Sequence, residues 1–201
     1  MTSPVKFNVT YPESLSRGLL LLRLFFGYFY VMIPHGFMLG LYGIALYFVI
    51  IIAWFAVLFT GKYPEGMFRF VEGYYRWYLR VMAYMMFMTD QYPPFSQDAN
   101  PPNYNALEFS VEYPGSLSRG LLLLRLLFGY FYVLIPHGIM LAFYAIGVYF
   151  VILIAWFAVL FTGKYPEGMF RFVEKYFRWW LRVGTYMSFM TDQYPPFNGD
   201  E

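Results

Sequence analysis

LFFGYFYVMIPHGFMLGLYGIALYFVIIIAWFAVLFTG, residues 24–61, contains no Asp, Glu, Lys or Arg. How this stretch is wound decides the fold. One helix crosses a bilayer in about 20 residues, so a charge-free window nearly twice as long is too long for a single crossing. Pro34, His35 and Gly36 stand in its middle as a turn signal. The spacing therefore predicts a transmembrane helical hairpin over residues 14–60. Its first helix starts behind Pro12, Glu13 and Ser14, and its second stops at Gly61, a residue suited to a C-cap.

The same stretch returns downstream. Tyr11–Phe95 aligns without a gap with Tyr113–Phe197, an offset of 113 − 11 = 102. Roughly four positions in five are identical, the signature of a repeat architecture. Before the first copy stands Phe7-Asn8-Val9, and before the second Phe109-Ser110-Val111. The chain thus divides into a first repeat (1–95), a polar Pro/Asn/Asp-containing linker (96–112) and a second repeat (113–197) with its own hairpin at 116–162.

Composition agrees with a bilayer. Hydrophobic residues make up 60% of the chain, aromatics 25% and charges only 13%, well outside the range of soluble domains. A net charge of +2 implies no polyanionic partner, so no nucleic acid is expected. With no cysteine, disulfides, thiolate metal sites and cysteine nucleophiles are excluded. The first residues lack a short apolar run followed by small residues, so no cleaved signal peptide is expected. Asn8-Val9-Thr10 fits a glycosylation sequon but reads as chance in a cytoplasmic tail.

After each hairpin comes a helix of another kind, expected at 64–88 and 166–190. In the first copy Arg69, Glu72, Arg76 and Arg80 recur at spacings of three, four and four. At about 100° per residue they make one narrow charged stripe on an otherwise aromatic and aliphatic helix. Such a helix is expected to lie in the membrane interface. Counting cations puts the termini, both Gly-Lys turns and both interfacial helices on one side, which the positive-inside rule makes cytoplasmic. The fold class is then an all-α membrane protein of two parallel tandem repeats, related by an axis along the membrane normal.

The two copies differ in two clusters. One comprises Phe37, Gly40, Leu41, Gly43, Ala45 and Leu46, where small residues stay small, so this half of the second helix is expected to pack on another helix. The other includes Tyr75, Tyr78, Met82 and Met86, opposite the unchanged charged stripe and expected to face lipid.

Few residues could carry chemistry. His35 and His137 are the only histidines. They read either as axial ligands for haem or pigment, or metal ligands, or as plain turn residues. Arg23 and Arg125 lie part-way into the apolar segments, so each is either a functional intramembrane charge or a snorkelling one. If Arg23 is paired, Glu72 is the expected partner. Thr89-Asp90-Gln91-Tyr92-Pro93-Pro94-Phe95 and its copy at 191–197 read as a structural lock or a polyproline ligand. Tyr42, Tyr47, Tyr144 and Tyr149 are expected to hydrogen-bond between helices. The charged stripes (Arg69, Glu72, Arg76, Arg80; Arg171, Glu174, Arg178, Arg182) are the expected working surface, meeting anionic lipid headgroups or a neighbouring subunit.

Leu58-Phe59-Thr60-Gly61, Tyr63-Pro64 and Gly66, then Thr89, Asp90 and Tyr92–Phe95, resemble a family of small bacterial integral-membrane proteins catalogued as a domain of unknown function. The resemblance spans both repeats and implies a bacterial inner-membrane location, with no established activity and no catalytic residues. No nucleophile–base pair, Gly-rich phosphate loop or carboxylate dyad appears in the spans. The expected function is a non-enzymatic accessory or scaffold subunit of a larger inner-membrane complex, without cofactor. The alternative is binding or transport of a lipid, ion, haem or pigment.

Overall fold

The computed structural model describes residues 3–200. In the order of the chain it contains strand β1 (Val5–Val9), helix α1 (Arg17–Thr60), helix α2 (Glu65–Met85), strand β2 (Leu107–Val111), helix α3 (Arg119–Thr162) and helix α4 (Glu167–Met187). The expected hairpins at 14–60 and 116–162 are absent. Each is a single helical run of 44 residues, long and apolar enough to cross a membrane.

The turn signal is absorbed by a local change of winding. Residues Tyr28–Met32 form a π-helical turn, in which the Ile33 amide donates to the Tyr28 carbonyl five residues back. Proline in a helix removes one amide donor and drives its ring against the carbonyl four residues earlier. Here that carbonyl belongs to Tyr30. The wider turn makes room for the Pro34 ring, and the Tyr92 hydroxyl donates to the Tyr30 oxygen at 3.0 Å. The same pair, Tyr194 and Tyr132, recurs below Pro136. With room for the ring and a donor for the carbonyl, the helix continues through Pro-His-Gly.

Gly61 ends α1 in the left-handed conformation, φ 73°, its amide donating to Val57. That conformation favours glycine. The chain then doubles back. Arg23 meets Tyr84, His35 meets Trp77 and Tyr42 meets Phe70, so α2 runs antiparallel to α1. Leu20, Arg23, Gly27, Val31, His35, Leu39, Ala53 and Val57 form the buried stripe of α1, with about one residue per helical turn along most of its length. The rest of its surface is exposed Leu, Phe, Ile and Tyr from Leu21 to Phe59.

The expected linker at 96–112 holds β2, which pairs antiparallel with β1. Phe7 stands opposite Phe109, its own repeat equivalent, with Val5 opposite Val111 and Val9 opposite Leu107. An antiparallel pair centred on equivalent residues has a two-fold axis normal to the sheet. Contacts elsewhere obey it. The Leu15 amide donates to Gly163 and that of Leu117 to Gly61. Arg17 reaches the Phe161 carbonyl and Arg119 that of Phe59. The start of each long helix therefore meets the end of the other, and α1 and α3 run antiparallel, perpendicular to the axis. Between them α2 and α4 face each other with Tyr78 against Trp180. The sheet roofs this inner pair: Phe7 packs on Phe177, Tyr75 on Phe109, and Lys6, Asn8, Glu108 and Ser110 point outward.

Candidate functional site: buried clamps and an apolar face

The charged stripe, expected at the headgroups, faces inward. Glu72, Arg76 and Arg80 are buried, as are Glu174, Arg178 and Arg182; only Arg69 and Arg171 keep about half their side-chain surface exposed. Their partners explain the inversion. A two-stranded sheet leaves both outer edges with free backbone groups. Glu72 accepts from the Val111 amide at 2.8 Å, and Arg76 donates to the Phe109 carbonyl at 3.1 Å. On the opposite edge Glu174 accepts from Val9 at 2.9 Å and Arg178 donates to Phe7 at 3.2 Å. Each Glu-Arg pair thus does for an edge what a third strand would do, and each repeat grips the strand leading into the other. Glu72 is ion-paired with both Arg76 and Arg69, and Glu174 with Arg178 and Arg171.

One turn on, Arg80 donates to the carbonyls of Ser96, Asp98 and Ala99 and lies over the Tyr104 ring at 5.1 Å. Burial lowers its pKa to about 10, so it stays charged at neutral pH. Arg182 holds Asn198 and Asp200 in the same way. The helix placed at 64–88 from sequence is thus an interior helix, Glu65–Met85. Its charges are matched to backbone that only the folded chain brings there.

Arg23 is buried and paired with Asp90, not Glu72. It also donates to the carbonyls of Tyr84 and Thr89 and lies over the Tyr84 ring at 4.6 Å. The other Asp90 oxygen accepts from the Ser16 amide at the start of α1. Arg125, Asp192 and Ser118 repeat the arrangement. The TD-x-YPPF segment is therefore a lock, and its aspartate closes the loop after α2 onto the start of α1.

His35 occupies a sealed box. Trp77 donates to its Nδ1 at 3.0 Å, Nε2 meets the Tyr92 hydroxyl at 3.2 Å, and the ring stacks on Phe95 with centroids 3.8 Å apart. Because Nδ1 accepts, the neutral ring carries its proton on Nε2. A continuous path follows, from Trp77 to His35, to Tyr92, to the carbonyl opened by Pro34. His137 has the same partners in Trp179, Tyr194 and Phe197. With both nitrogens occupied, neither histidine offers a lone pair to haem, pigment or metal. Among the described residues no cluster of three or more metal-ligating side chains occurs.

The copy differences also fall elsewhere than expected. Tyr75, Tyr78, Met82 and Met86 do not form an outer face; they stand toward α4, with Tyr78 and Met82 also lining a groove. Tyr75 hydrogen-bonds Ser188 at 2.8 Å and packs on Trp180. A Cβ at Gly184 would stand 3.0 Å from the Tyr75 hydroxyl. The two-fold sets Phe177 opposite Met82 and Met86 on the other side. Tyr with Gly and Ser on one side thus answers Phe with two Met on the other. Similarly, Gly73 makes room for Gln97, while Lys175 stands over Gly199. On α1, Gly36 and Gly40 have nothing within 4 Å of an added Cβ and line an open groove. A Cβ at Gly43 would meet Tyr74 at 3.7 Å, and one at Gly147 on α3 would meet Phe172 at 3.3 Å, so the expected helix contact holds at these small residues and not at Gly40. Tyr42 and Tyr144 reach the carbonyls of Phe70 and Phe172 on the antiparallel helix, as expected of interhelical hydroxyls, whereas Tyr47 and Tyr149 are exposed.

The sequence profile of a Domain of unknown function, DUF4389, matches residues 20–97 and again 121–198. The chain belongs to the DUF4389 family. No curated protein and no solved structure matches it. Each DUF4389 unit contains one Arg-Asp clamp and one histidine box. Both strands lie outside the matched residues, so the edge-gripping stripe belongs to the unit and the strand it grips does not.

Proposed function

We propose that this DUF4389 protein is a non-enzymatic scaffold or accessory subunit of a membrane complex, placed in a bacterial inner membrane with its charged side toward the cytoplasm. The observation that carries the reading is the pair of long helices, each exposing large apolar side chains from end to end. Exposed apolar surface on that scale marks a lipid or protein contact. The buried arginines, glutamates and histidines are already engaged within the chain, which supports a structural role for them. The partner-facing surface is then Arg69 and Arg171 at the rim together with whatever part of the apolar flank of α1 and α3 lipid leaves uncovered. Purification in mild detergent tests this: a co-purifying membrane subunit is expected, and a homogeneous species with no partner protein counts against it.

A second reading rests on two grooves beside the axis. One, of about 310 Å³, is lined by Met32, Gly36, Gly40, Tyr74, Tyr78 and Met82; its counterpart of about 350 Å³ lies along α3 and α4. Their apolar walls suit a lipid chain. Native mass spectrometry of the same sample, showing one or two retained lipids, would favour it. The visible spectrum is expected to be flat.

A further inference from the structure

We propose that α1 and α3 lie flat within a single leaflet of the membrane, with the two-fold axis along the membrane normal and the strand pair on the water side. The acyl chains of that leaflet cover the apolar flanks. The proposal rests on the membrane reading above and adds its geometry.

Three observations carry it. First, length: exposed apolar side chains run from Leu21 to Phe59, about 57 Å at 1.5 Å per residue, against about 30 Å of hydrocarbon. To cross within that thickness the helix would tilt roughly 60° from the normal, beyond the usual limit of about 40°. Second, direction: the two-fold is normal to the sheet and perpendicular to the antiparallel long helices, so the sheet plane lies parallel to them. Third, polarity: the outward face of that sheet carries Lys6, Asn8, Glu108 and Ser110, all exposed. Standing the helices upright would carry this roof, which spans the middle of the molecule, into hydrocarbon, where unpaired charge is costly. Laying them flat puts the roof in water and the apolar flanks in lipid. Both ends of each helix, marked by exposed Glu13, Arg17, Lys62, Arg119 and Lys164, then reach one surface.

The chain has no cysteine, so single-cysteine variants report position cleanly. Glu13→Cys, Lys62→Cys, Lys164→Cys and Glu108→Cys would be made in the full chain and probed with a membrane-impermeant maleimide. Right-side-out and inverted membrane vesicles from expressing cells would be compared. One-leaflet insertion expects all four to label from the same side. Labelling of Lys62→Cys and Lys164→Cys from opposite sides overturns the proposal and leaves the membrane reading standing, because spanning antiparallel helices put these equivalent positions on opposite faces. Recovery of the unmodified chain in the soluble fraction overturns both. As a second measurement, a nitroxide on Ile44→Cys, an exposed mid-helix position, is expected to be reached by oxygen and shielded from a water-soluble nickel relaxant. Equal access to both reagents overturns the embedded placement.

Discussion

Tyr92 shows how much one hydroxyl can hold. It donates to the carbonyl that Pro34 leaves free and accepts from His35, so Tyr92→Phe leaves the buried His35 nitrogen and the Tyr30 carbonyl without this partner. A loss of about 1–3 kcal/mol is expected, read as a drop in melting temperature in detergent. The Tyr63 hydroxyl is the opposite case: it is buried with no hydrogen-bond partner. Tyr63→Phe removes that desolvated group at little cost in packing, and stability equal to or above wild type is expected; a clear loss would show that the hydroxyl has a partner. Arg23 and Asp90 form a pair with the arginine fully buried. Arg23→Met or Asp90→Asn alone should cost on the order of 3–5 kcal/mol, since each leaves the other uncompensated. The double variant should lose less than the sum, which a double-mutant cycle measures.

At the scale of elements, the stripe of α2 and the edge of β2 form one unit, as do α4 and β1. Glu72→Gln keeps an acceptor for the Val111 amide but deprives Arg76 of its counter-charge. The expected result is a loss of a few kcal/mol, with amide exchange at Val111 and Phe109 accelerating before exchange within α1 does. Uniform acceleration throughout the chain would mean that the strand has no local opening of its own. The π-turn belongs to this scale too. A proline inside a helix is ordinarily a break, and here a segment about 60 residues downstream supplies the missing donor.

For the whole molecule the two repeats are no longer interchangeable. Tyr75 needs the space at Gly184 and the hydroxyl of Ser188. Gly184→Met, which only copies what the first repeat carries at Met82, is expected to overpack this contact and cost about 1–3 kcal/mol. Adding Tyr75→Phe and Ser188→Met makes both sides alike and should recover most of the loss. Failure of the triple variant to recover would break the link drawn between the copy differences and the contact across the axis. Drift in lipid would have left such differences unmatched, whereas across this contact they compensate.

Much of this was legible in the residues alone. The duplication, its offset, the apolar character of α1 and α3 and the helix after each Gly-Lys turn follow from local pattern, because period, charge spacing and turn chemistry are properties of neighbouring residues. That α1 runs unbroken through Pro34 was not legible, because whether Pro34 breaks a helix depends on Tyr92, distant in sequence. The direction of the charged stripe was not legible either. A row of Arg and Glu satisfies water, headgroups or a strand edge equally well by pattern, and only the fold brings the free edges of β1 and β2 to it. Arg23 found Asp90 and not Glu72 for the same reason: the partner is chosen by which loop closes on α1. Sequence determined what each helix is made of; tertiary structure decided which face of it is inside, because a buried polar group is stable only where another part of the chain completes its hydrogen bonds.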